Sequence, residues 1–123
     1  MTKILIVEDE PILHEALKEF LKREKFEVFS AYDGDEAIKL AKEKTPDLIL
    51  LDIILPKKDG YDVLDYLKLN KKTQNIPVVL LTNLESAENV EKAFSKGATT
   101  YLVKANYRLE DIVKKIKEIL KCA

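Results

Sequence analysis

Four apolar runs in this chain stop on residues that could do chemistry. Ile4-Leu5-Ile6-Val7 runs into Glu8-Asp9-Glu10, and Leu48-Ile49-Leu50-Leu51 into Asp52. Val78-Val79-Leu80-Leu81 stops at Thr82, and Thr100-Tyr101-Leu102-Val103 at Lys104. If the runs are parallel strands of one sheet, their polar ends share one edge. Three clustered carboxylates repel: two unit charges about 4 Å apart cost roughly 4 kcal/mol at an effective dielectric of about 20. A divalent cation removes that conflict. Hard oxygen donors without imidazole or thiolate select Mg²⁺, with Mn²⁺ as a substitute. Lys104 and Thr82 would then hold the oxygens of a transferring phosphoryl group, a reaction that depends mainly on positioning and charge neutralisation. Asp52, shielded by Ile53-Ile54-Leu55-Pro56, is the natural nucleophile, forming an acyl phosphate. Taken singly, each group has an ordinary structural role, such as an acidic run at a helix start. Their joint occurrence at the ends of different buried runs points to chemistry. The lone His14 reads as an exposed helix residue rather than a ligand.

The elements that must position these groups alternate. Ile4–Val7, Leu48–Leu51, Val78–Leu81 and Thr100–Val103 are nearly continuous in apolar residues, as strands covered on both faces are. Phe26–Ser30 is mixed and suits an edge strand. Between them lie amphipathic helices. Pro11 fits a first helical turn before Leu13, Leu17, Phe20 and Leu21. Asp33 and Ser86 are predicted caps, Gly97 a helix stop, and Asn106 the cap of the last helix. Strand–helix alternation five times over predicts an α/β fold, a five-stranded parallel sheet with five helices on its two faces. The working edge of such a sheet is the carboxyl ends of its strands.

The chain has 123 residues, which predicts one domain spanning residues 1–123. Lys plus Arg total 21 and Asp plus Glu 22, for a net charge of −1, so there is no electrostatic case for nucleic acid or membrane binding. One cysteine makes no internal disulfide, and no signal segment or long apolar run is present, which predicts a cytoplasmic protein.

These residues resemble a known family. Ile4-Leu5-Ile6-Val7-Glu8-Asp9-Glu10, Asp47 through Pro56 with Asp59-Gly60, Pro77 through Thr82, Gly97-Ala98 and Tyr101-Leu102-Val103-Lys104 are similar to the motifs of response-regulator receiver domains. The resemblance covers essentially the whole chain, and by length suggests a stand-alone member similar to the chemotaxis response regulator. It implies a flavodoxin-like, doubly wound sheet of order 2-1-3-4-5. It implies that Asp52 accepts phosphate from a histidine kinase or histidine phosphotransfer protein, in two-component signal transduction. Glu8, Asp9, Asp52 and the backbone carbonyl of Ile54 would bind Mg²⁺, and Thr82 and Lys104 would contact the phosphoryl group. Tyr101 matches an aromatic switch position that turns inward as Thr82 moves; an aromatic on a solvent-facing strand surface is the plainer reading. The kinase would dock around Ile12, Glu15 and the Lys104–Tyr107 loop. A downstream protein would bind the face built from Ser86–Gly97, Thr100–Lys104 and the last helix, the chain acting as a monomer or a phosphorylation-dependent dimer.

Three departures from the family pattern stand out. Ala105 follows the lysine where proline is usual; a cis bond there would cost about 3–4 kcal/mol, so a trans bond and a changed approach of Lys104 are expected. Asn83 stands where a small residue is common. Ile54 and Leu84 occupy positions that tune phosphate loss, and neither can orient water, so slow self-hydrolysis is expected. A Mg²⁺-dependent aspartate phosphatase would want a second aspartate at position 54. A phosphorylation-independent interaction module, supported by Ala105, and the receiver of a longer DNA-binding or enzymatic regulator are the alternative readings.

Overall fold

The computed structural model describes residues 1–122. The elements are β1 (Lys3–Val7), α1 (Pro11–Arg23), β2 (Glu27–Ala31), α2 (Gly34–Lys44), β3 (Leu48–Leu51), α3 (Gly60–Leu69), β4 (Val78–Thr82), α4 (Ala87–Ser95), β5 (Thr100–Val103) and α5 (Leu109–Cys122). All strand pairs are parallel and the order is β2-β1-β3-β4-β5, as expected. Alternation along each strand divides the core in two. Ile4, Ile6, Leu48, Leu50, Val79 and Leu81 pack under α1 and α5 with Leu17, Leu21, Ile112, Val113 and Ile116. Leu5, Val7, Ile49, Leu51, Val78 and Leu80 pack under α2, α3 and α4. Each such aliphatic side chain contributes about 1.5–3 kcal/mol when fully buried, which is why these positions carry no polar residue.

Local chemistry sets the ends of the helices. The Asp33, Asp59 and Ser86 side chains accept from the backbone N–H groups of Glu36, Asp62 and Asn89, capping α2, α3 and α4. Pro11 opens α1. Gly97, at φ 100°, follows α4 in the left-handed region. Asn106 does not cap α5: it lies in a one-turn 3₁₀ helix, Lys104–Asn106. The helix starts later, where the Asp111 carboxylate accepts from the Arg108 N–H at 3.2 Å, a nearer acceptor for the free helix-start donors. The edge strand runs Glu27–Ala31, one residue later than expected, because the Phe26 N–H is spent on the Leu21 carbonyl at the end of α1. Among the described residues there is no cis peptide bond, so Lys104–Ala105 is trans.

Two glycines clamp the loop that follows β3. A Cβ on Gly60 would lie 2.4 Å from the Asp52 carbonyl oxygen, and one on Gly34 would lie 2.1 Å from that of Lys58. The Gly60 N–H donates to Ile53 and the Gly34 N–H to Pro56. The starts of α2 and α3 therefore press directly against the backbone around Asp52. Gly60→Ala is expected to destabilise the protein by about 3 kcal/mol in urea denaturation, since backbone must shift to admit the methyl. Substitution of the exposed Lys39 by Ala should stay within about 0.5 kcal/mol.

Candidate functional site

The register delivers the predicted residues to one point. Val7 is level with Leu51, and the Asp52 N–H donates to the Val7 carbonyl at 3.0 Å, so Glu8 and Asp52 leave adjacent strands side by side. This is where the chain order reverses between β1 and β3, the position that opens a crevice at the carboxyl ends of the strands. Thr82 is level with Val103, so Lys104 follows directly beyond it on the far side of β4.

Glu8, Asp9 and Asp52 each offer a carboxylate oxygen, all within 4.8 Å of one another. Glu8 and Asp52 are 2% and 5% exposed, while Asp9 faces solvent. Lys104 Nζ lies 2.8 Å from Glu8 Oε1 and 2.9 Å from Asp52 Oδ2, with Glu10 at 4.0 Å. The Glu10 N–H donates to Glu8 Oε2 at 3.1 Å, and the Ile54 N–H makes a long contact of 3.4 Å to Asp52 Oδ1. Burial pushes the Glu8 carboxyl above its ordinary 4.5, with the Asp52 charge adding to it; the Lys104 and Glu10 hydrogen bonds offset only part of this. Burial pulls the Lys104 ammonium down, but its two carboxylate partners outweigh that and hold it above 10.5.

Asp9, Glu10, Asp52, Ile54, Thr82, Asn83 and Lys104 line a cleft of about 180 Å³. That is below the roughly 300 Å³ at which small-molecule sites begin. It has room for an ion, water and a phosphoryl group. The donor set fits a hard divalent cation: three carboxylate oxygens converge without imidazole or thiolate, and an ammonium already sits on two of them.

Thr82 is fully buried and its Oγ1 accepts from the Leu84 N–H at 3.5 Å. Tyr101 is half-buried against the α2–α4 side of the core, and its hydroxyl donates to the Leu84 carbonyl at 2.8 Å. Burial raises its phenol, with Tyr61 and Asp52 adding to the shift. Tyr101 is thus turned inward rather than lying on a solvent-facing surface. Asn83 is exposed at the cleft mouth.

Two expectations require correction. Ile54 does not shield Asp52: it is 61% exposed, and Ile53, at 3%, is the residue that turns under the sheet edge. His14 is not a surface residue. It is fully buried, its Nδ1 lies 2.7 Å from the Glu8 carbonyl oxygen, and its ring stacks on Tyr32 with centroids 4.2 Å apart. The signal was legible: His14, Leu17 and Leu21 recur at three and four residues, so His14 belongs to the inward stripe of α1.

The fold and this strand-end constellation define a receiver. The sequence profile described as response regulator receiver domain matches residues 4–117, and the chain belongs to that family. It is 38% identical over 119 residues to the transcriptional regulatory protein SrrA of Staphylococcus aureus, covering 97% of this chain and 48% of SrrA. It is 34% identical over 121 residues to the DNA-binding dual master transcriptional regulator RpaA of Synechocystis, covering 98% of this chain and 50% of RpaA. The chain therefore spans about half the length of these curated relatives. A solved two-component response regulator from Clostridium difficile superposes with a TM-score of 0.91 at 30% identity, covering 98% of this chain and 97% of that one.

The direction of the Glu8 shift has a measurable consequence. A carboxyl whose folded value lies above its unfolded value stabilises the fold below about 4.5 and loses that contribution as pH rises through the folded value. Glu8→Gln mimics the protonated acid at every pH. Without divalent cations it should be more stable than the natural chain at pH 7, and the difference should vanish near pH 4. Parallel urea melts at the two pH values check this; equal stability at pH 7 contradicts it.

Proposed function

We propose that this receiver accepts a phosphoryl group on Asp52 from the phosphohistidine of a histidine kinase or histidine phosphotransfer protein. An Asp52 carboxylate oxygen attacks phosphorus, the phosphorus–nitrogen bond breaks, and its electron pair stays on the imidazole. Glu8, Asp9, Asp52 and the Ile54 carbonyl would hold Mg²⁺, with Mn²⁺ able to replace it. The bound ion supplies charge neutralisation for the phosphoryl oxygens. Lys104 carries the second positive charge: Asp52 loses its own charge on becoming an acyl phosphate, which frees the ammonium for a phosphoryl oxygen. The observation that supports this most is the Lys104 ammonium within 2.9 Å of Asp52 and 2.8 Å of Glu8, in the cleft that Asp52 shares with Thr82.

The output follows from Thr82. Its hydroxyl can turn to a phosphoryl oxygen, which releases the Leu84 N–H and loosens the segment that Tyr101 holds by the Leu84 carbonyl. Thr82 and Tyr101 would thus act as a two-state pair biased by phosphate. The face of α4, β5 and α5 would meet the downstream protein, and the exposed Ile12, 88% accessible, and Glu15 would meet the kinase. A cytoplasmic location belongs to this reading; among the described residues no helix is long and apolar enough to cross a membrane.

The direct test is incubation with a small phosphodonor such as phosphoramidate, with and without Mg²⁺, followed by intact mass. One phosphoryl group per chain is expected, dependent on Mg²⁺ and lost in Asp52→Asn. An unmodified natural chain, or a phosphorylated Asp52→Asn, overturns the reading.

The receiver would also govern its own dephosphorylation. Ile54 lines the cleft and Leu84 is half-buried beside Thr82, and neither can orient an attacking water. The acyl phosphate should therefore be long-lived. The double substitution Ile54→Asn with Leu84→Glu should shorten its half-life by about tenfold or more. A half-life in the natural chain equal to that of the double variant counts against this.

A further inference from the structure

We infer that His14 is a positioning residue for the cation site, setting by one hydrogen bond the peptide from which Glu8 and Asp9 project. This rests on the reading of Glu8, Asp9 and Asp52 as that site. A carbonyl oxygen only accepts, so the 2.7 Å contact to the Glu8 carbonyl assigns the ring proton to Nδ1. The bond spans the loop between β1 and α1. It fixes the carbonyl and hence the plane of the Glu8–Asp9 peptide, and with it both flanking Cα atoms. Neighbouring groups of that turn are tied as well. The Glu8 N–H donates to Ala31 at 3.1 Å, the His14 N–H to the Glu10 carbonyl at 2.9 Å, and the Glu10 N–H to the Glu8 carboxylate. Among the described residues the Asp9 N–H has no hydrogen-bond partner, so without the imidazole the Glu8–Asp9 peptide, which joins two of the three carboxylates, would be held by no hydrogen bond.

Packing alone does not explain the residue. His14 Nε2 is buried without a hydrogen-bond partner. A leucine would fill the head of the stripe that continues through Leu17 and Leu21 without leaving an orphaned nitrogen, and a buried polar atom without a partner is costly. An imidazole that carries this cost is there for its other nitrogen. The stack on Tyr32 keeps the ring in the plane that aims Nδ1 at the carbonyl.

The experiment titrates Mg²⁺ into the natural chain, His14→Leu and His14→Asn, read by amide chemical shifts, with stability measured on the same samples. Asparagine places its amide nitrogen where Nδ1 stands. His14→Leu should weaken Mg²⁺ binding by about tenfold, as loss of a partner supporting a metal ligand does, and His14→Asn should recover most of it. Because the chain has a single histidine, a long-range ¹H–¹⁵N spectrum of the natural protein gives one imidazole, expected as the Nδ1–H tautomer. That spectrum and His14→Asn decide the matter even if His14→Leu does not fold. Unchanged affinity in His14→Leu, an asparagine variant as weak as the leucine one, or an Nε2–H tautomer overturns the positioning role and leaves the cation site standing. A natural chain that binds no Mg²⁺ overturns the cation site, and the positioning role with it.

Discussion

Everything at the sheet edge depends on one constraint: two buried carboxylates from adjacent strands need a cation between them. Glu8 and Asp52 cannot separate, because the Asp52 N–H is bonded to the carbonyl just before Glu8. They cannot retreat to water either, because both are buried. Removing the positive partner from a buried charge cluster costs several kcal/mol. Lys104 fills that role here, and its position at the end of β5 ties the far edge of the sheet to the centre. The same requirement makes the site selective, since whatever binds must bring positive charge or displace Lys104 from one of its two partners.

Much of this was legible in the residues. The strands announced themselves as apolar runs because both sheet faces are covered, and the doubly wound alternation left few topologies. The side chains at the strand ends were found because each interrupts such a run. What the sequence hid were contacts that cross elements. Ile54 looked like a shield because it is apolar, but the tight approach of Gly60 to Asp52 turns the loop so that Ile53 goes under and Ile54 goes out. His14 looked like a surface residue because it is polar, although its place in the helical stripe said otherwise. Asn106 looked like a cap by composition, but the chain spent it in a 3₁₀ turn before α5 began. In each case the position of the residue in its element, not its type, sets its surroundings through tertiary packing.

The way α4 is held differs from the rest of the core. Ala93 is its only fully buried side chain, and Phe94 is largely exposed. What fastens it is polar and points to α3. The Tyr61 hydroxyl donates to Asn89 Oδ1 at 2.6 Å, the Lys96 ammonium pairs with Asp65 at 2.8 Å, and Lys92 lies over the Tyr61 ring at 4.2 Å. Partly exposed pairs of this kind each contribute about 1 kcal/mol or less. An element with few buried apolar contacts belongs to the low-stability end of a structure, which is where moving parts are found.

That distribution bears on how a charge change of at most about one unit at Asp52, as in the proposed acyl phosphate, could reach a protein surface. The sheet itself cannot deform, because its two aliphatic layers are close-packed and stiff. Leading from the cleft of Asp52 toward α4 are neutral hydrogen-bonding groups, the Thr82 hydroxyl, the Leu84 peptide and the Tyr101 phenol, joined in series by bonds of 3.5 and 2.8 Å. The first bond is long and therefore weak, and the second is short and therefore strong. Leu84 in turn leads directly into Ser86 and α4. The two stiff aliphatic layers thus form a fixed frame, and α4, with Ala93 as its one buried side chain and polar ties to α3, is the weakly fastened element beside it.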